Sequence, residues 1–93
     1  SGADLSLFRR NDADLVGLNL TQGEYHPIMG VGRTLIPAYV HAVKIRIGDT
    51  ELYVKAAFAD SDEVPRLLGR LGIFTYFKIT FSEQELKIIF ETV

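Results

Sequence analysis

Three short stretches carry residue types and spacings that bear on chemistry. Ser1-Gly2-Ala3-Asp4 joins a hydroxyl, a glycine that lets backbone approach a ligand closely, and a carboxylate. On its own such a tetrapeptide is an ordinary polar chain end. Met29-Gly30-Val31-Gly32 sets two glycines one residue apart, the mark of a tight reversal, and glycines at such places commonly serve the turn alone. Leu67-Leu68-Gly69-Arg70 is an apolar run ending in a glycine and a guanidinium able to grip a carboxylate with two parallel hydrogen bonds. Read alone, it is a strand exit with a solvated cation. Asp60-Ser61-Asp62-Glu63 clusters carboxylates as a calcium loop does, yet lacks the glycine turn and longer ligand ladder of such loops, and reads as a solvated loop. His26 and His41 lie too far apart, with too little support, to be a metal pair. No serine sits in a nucleophile elbow, and Gly30 and Gly32 lack the third glycine and following helix of a dinucleotide site. Asn19-Leu20-Thr21 is a glycosylation sequon that matters only in a secreted protein.

Composition narrows the field. A chain of 93 residues supports one domain, spanning 1–93, that buries about 65% of the surface its unfolded form exposes. Hydrophobic residues at 47% and charged residues at 24% are the balance of an ordinary globular domain. Ten Lys and Arg against twelve Asp and Glu leave a formal charge of -2, with no basic block to neutralise phosphates, so nucleic acid is not expected as a partner. The absence of cysteine excludes disulfides, a thiolate nucleophile and sulfur-bound metal. No apolar run approaches the ~20 residues of a membrane span, and no signal peptide is evident, so no membrane partner is expected and the location expected is cytoplasmic.

The elements that must position these residues are mostly strands. Residues 4–8 alternate polar and apolar side chains, the period of a half-buried strand. Residues 9–18 suggest a helical turn or two, and 19–24 a loop. From Tyr25 an extended pattern runs into a hairpin tip at Gly30-Val31-Gly32. Residues 35–47 form a long β-rich segment whose end alternates, Val43, Ile45 and Ile47 on one face and Lys44 and Arg46 on the other, so one face must be buried. Gly48-Asp49 turns it into a second strand, 51–58, with Leu52, Val54, Ala56 and Phe58 sharing a face. A polar loop follows over 60–65, then a short apolar strand over 66–69 and one or two helical turns over 70–77. Residues 78–81 and 86–90 alternate around Ser82-Glu83-Gln84-Glu85 as a third hairpin. Closely spaced strands with little helix predict a small, mostly antiparallel barrel or sandwich.

In this order and spacing, Ser1-Gly2-Ala3-Asp4, the glycine-bearing hairpin 29–32, the paired strands within 35–58, Leu67-Leu68-Gly69-Arg70, a short helix over 71–77 and a closing hairpin over 78–90 resemble the retroviral-type aspartic proteases, the retropepsins. The likeness covers nearly the whole chain. It implies an all-β, closed, barrel-like fold with one or two short helices, and a homodimeric endopeptidase that needs no metal or other cofactor. The family's catalytic aspartate would stand immediately before Ser1, so the chain is expected to be a domain cut just after it. By the same resemblance Ser1 and Gly2 are the remnant of the active-site loop. Asp4 accepts hydrogen bonds from substrate backbone and pairs with Arg70, which follows Gly69. Met29, Gly30, Val31 and Gly32 form a flap over an extended peptide or protein substrate. Leu5, Val31 and Ile36 are candidates to line side-chain pockets. Arg33 departs from the smaller residue usual at the flap tip. The C-terminal strand, 86–93, is the implied interface element. The alternative function is a non-catalytic peptide-binding or assembly module of the same fold.

Overall fold

A computed structural model of the chain describes residues 6–66 and 77–92. Its centre is a hairpin of two long strands, β5 (Ala38–Ile47) and β6 (Thr50–Ala59), paired antiparallel from Ala38↔Ala59 to Ile47↔Thr50 and joined by the expected turn at Gly48-Asp49. The outer side of β6 takes β1 (Ser6–Phe8) in parallel, Ser6 opposite Ala56 and Phe8 opposite Phe58. The outer side of β5 is divided. The short β2 (Glu24–Tyr25) pairs antiparallel with Tyr39 and Val40, while β8 (Lys87–Thr92) runs parallel to residues 44–47. β7 (Phe77–Ser82) closes the third expected hairpin against β8.

The main sheet therefore runs β1-β6-β5-β8-β7, with β2 branching from β5. The protein is all-β in character with few helices, but the sheet is a curled half-barrel: among the described residues no pairing joins β1 to β7 to complete a cylinder. Two parallel pairings, β1 with β6 and β5 with β8, stand within an arrangement that is otherwise antiparallel, as the short spacing suggested.

The β-rich segment 35–47 is extended as expected and is divided once. It forms two elements, β4 (Leu35–Ile36) and β5, separated at Pro37. Proline has no N–H to give a ladder and a fixed φ, so the chain bends there. The Pro37 carbonyl instead accepts the Asp60 N–H at 2.8 Å. β4 pairs with β3 (Ile28–Met29) as a separate two-stranded hairpin.

The core is aromatic and aliphatic. Phe8, Phe58, Phe90, Ile45 and Ile88 are fully buried, with Phe8 stacked on Phe58 at 5.3 Å between ring centres. Burial of one such ring contributes about 1.5–3 kcal/mol. Ala56 and Phe58 of β6 are buried as expected, but Ala57 and Ala59 between and beyond them are buried too, so burial there does not alternate, and Leu52 lies toward the exposed end of the strand. The helix α1 (Arg10–Leu15) covers the sheet through Ala13 and Val16. It stops at Gly17, whose φ of +75° suits glycine. The Gly17 and Leu18 N–H groups there reach back to the carbonyls of Asp14 and Ala13, which satisfies the last turn and ends the helix well before residue 18.

Candidate functional site

The β3–β4 hairpin places Ile28 opposite Ile36 and Met29 opposite Leu35. Side chains alternate across a strand, so the two isoleucines share one face and Met29 and Leu35 the other. At the tip the Gly30 N–H donates to the Thr34 carbonyl at 2.7 Å. Residues Val31–Arg33 make a tight helical turn in which Gly32 has φ +75° and Arg33 φ +63°. Two successive left-handed residues reverse the chain, and only glycine adopts that conformation without cost. The hairpin expected at Gly30-Val31-Gly32 is thus present, with Arg33 as part of its turn.

Under this hairpin lies a cavity of about 540 Å³. One wall is the hairpin itself, through Ile28, Met29, Gly30, Thr34 and Ile36. The opposite wall is the loop 60–66, through Ser61, Glu63, Val64 and Pro65, and Leu7 of β1 also lines the space. The alternation in β1 buries Ser6 and Phe8 against the sheet, which turns Leu7 to the cavity.

The loop wall is fastened to α1. The Arg10 N–H donates to the Ser61 carbonyl, and the Arg10 guanidinium pairs with Asp60 and Asp62, each at 3.4 Å. The Asn11 N–H donates to Asp62 at 2.8 Å. That backbone bond, followed by the Arg10 contact, holds the Asp62 carboxyl below its usual range, and Asp62 in turn raises Arg10. Arg9 Nε donates to the Val64 carbonyl at 2.7 Å. Deepest is Asp12, fully buried at the third position of the helix, where its carboxylate accepts the Arg9 N–H at 3.0 Å. The same carboxylate receives both prongs of the Arg66 guanidinium, Nε at 2.8 Å and Nη2 at 2.7 Å. Arg66 also lies over the Phe81 ring, 5.3 Å from its centre. The acidic stretch 60–63 is the solvated loop expected, and within it Asp60 and Asp62 also clamp the chain to the helix start.

Of the residues expected at the site, Met29, Gly30 and Ile36 line the cavity, and Val31 and Gly32 form the hairpin tip above it. Ser1, Gly2, Asp4, Leu5, Gly69 and Arg70 lie outside the described residues. The sequence reading missed Leu7, Glu63, Val64 and Pro65 as lining, and missed the Asp12–Arg66 fork. An aspartate at the third helical position is a capping signal that was there to be found; its partner is 54 residues away. His41 has a structural role: Nε2 lies 2.9 Å from the Leu20 carbonyl, so this nitrogen is the donor, and the ring meets Phe58 edge-on. A second depression, about 560 Å³, sits by the β5–β6 turn. Arg46 faces Asp49, Glu51 and Glu91 there, and this mainly charged lining offers little to an apolar side chain.

No protein-family model, curated protein or solved structure matches the chain.

Proposed function

We propose that the chain is the retropepsin-like unit of an aspartic endopeptidase that works as a homodimer on extended peptides. The observation that carries this reading is the glycine-tipped β3–β4 hairpin above a mostly apolar cavity whose lining includes Leu7, on the strand that follows Ser1-Gly2-Ala3-Asp4. Such a hairpin suits closure over a peptide and exclusion of water from it. Each subunit supplies one aspartate, placed just before Ser1, and the two carboxylates sit so close that they share one proton. The ionised carboxylate takes a proton from water as its oxygen attacks the scissile carbonyl, while the protonated one gives its proton to the developing oxyanion. Collapse of the tetrahedral intermediate breaks the C–N bond, moves a proton to the leaving amine and restores the singly protonated pair. Ser1 and Gly2 support that loop, and Asp4, braced by Arg70 beside Gly69, receives substrate backbone. No metal or other cofactor takes part. The proposed setting is cytoplasmic.

The test is the polypeptide extended upstream of Ser1. The preceding residue is expected to be aspartate, and cleavage of unfolded protein to peak at acidic pH and to be blocked by pepstatin. Changing that aspartate to asparagine lowers the rate by on the order of a thousandfold or more. A different residue there, or cleavage indifferent to the change, overturns the proposal; peptide binding without cleavage would make the domain a binding module.

A further inference from the structure

Resting on the peptide-cleft reading above, we infer that the groove selects segments in which a large aliphatic side chain lies next-but-one to lysine or arginine, with Glu63 as the residue that reads the cation. The recess that takes the aliphatic group is formed by Leu7, Ile28, Ile36, Val64 and Pro65. Filling such a recess removes apolar surface from water, and it fits an unbranched polar side chain poorly. Among the described residues lining the cavity, Glu63 alone bears a charge.

Its acidic neighbours are otherwise engaged: Asp60 and Asp62 pair with Arg10, and Asp62 also accepts the Asn11 N–H. Glu63 is exposed and has no ion pair among the described residues. What is fixed is its backbone, whose N–H donates to Ser61 Oγ at 3.1 Å within a loop clamped to α1. A carboxylate free to meet a ligand therefore stands on an anchored segment at the rim of an apolar recess. In an extended peptide, side chains recur on one face every second residue, so a cation close to the anchoring aliphatic group is within reach of the rim. A glutamate or aspartate at the same place meets like charge, which gives discrimination as well as attraction.

The measurement is fluorescence anisotropy of labelled peptides with a Leu-Leu core flanked by lysine, alanine or glutamate, at low ionic strength. An exposed charge pair favours the lysine-flanked peptide by roughly two- to fivefold over the alanine-flanked one, fading as salt is added. Glu63→Gln erases the discrimination, and Glu63→Lys reverses it, a swing of about tenfold between lysine- and glutamate-flanked peptides. Unchanged thermal unfolding of both variants, expected because only the Glu63 backbone is bonded, shows that the fold is intact. An unaltered charge preference in Glu63→Lys overturns this inference and leaves the cleft reading standing. Failure of all three peptides to bind overturns both.

Discussion

Asp12 is the residue on which the loop wall of the cavity depends. Its buried carboxylate has three donors, one from the Arg9 backbone and two from Arg66. Removing one partner of such a pair leaves a buried group without its counter-charge, which costs about 3–5 kcal/mol. Arg66→Met is therefore expected to lower the unfolding free energy, read from a denaturant titration, by that order. Replacing both residues by apolar ones, as Asp12→Leu with Arg66→Met, recovers much of the loss; a double variant as unstable as the single one would refute the account. Asp62 gives a pH dependence of known sign. Its folded value is lowered, first by the Asn11 N–H and then by Arg10. The stability it adds is complete above the ordinary aspartate range and fades as pH falls through its lower folded value. Asp62→Asn should flatten the acid limb of a stability profile below about pH 4 and leave the slope near neutrality unchanged. At this scale the sequence is legible only where the partner is near. The helix-capping role of Asp12 has a local signal, whereas Arg66 and the clamp of Asp60 and Asp62 onto Arg10 join residues about fifty positions apart. The Asp4–Arg70 brace implied by the family resemblance lies outside the described residues.

Among the elements, the β3–β4 hairpin owes its shape to its tip. Gly32 has φ +75° and open space where a Cβ would stand, so a side chain there meets backbone strain and no clash. Gly32→Val should cost about 1–2 kcal/mol locally. Amide exchange at Gly30 is expected to quicken as its bond to Thr34 opens, while amides of the β5–β6 pair keep their protection. Equal loss of protection in both places would show that the hairpin is not a separate element. Hairpins are what the sequence displays best: Gly30 to Gly32, Gly48-Asp49 and Ser82 to Glu85 all mark real reversals. Breaks inside extended runs are harder to read. Pro37 divides a stretch whose β character is continuous on either side, and the brevity of α1 is set by the Gly17 stop and by the sheet beneath Ala13 and Val16. Leu7 shows the same limit. Alternation reveals that residues 4–8 have two faces, but which face meets the core depends on the pairing of Phe8 with Phe58.

For the whole molecule, the proposed dyad demands two copies related by a two-fold axis, with the same surface on each. Sedimentation of the upstream-extended chain is expected to give about twice the monomer mass, and a strictly monomeric active species would overturn the shared-dyad mechanism. The all-β class was legible because strand periods and turn residues are local. The strand order of the sheet was not, since it rests on which distant segments pair. In the sheet, residues 6–8 meet 56–58 and residues 44–47 meet 87–90, both in parallel. Only the β5–β6 hairpin brings sequence neighbours together at the centre. Loop closure of that span is slow to be rewarded, so the central hairpin is the natural nucleus and the outer strands dock on it afterwards. During synthesis the emerging polypeptide must hold Phe8 and Phe58 without the cover of Ile88 and Phe90 until β8 leaves the ribosome. That interval is when chaperones would find it.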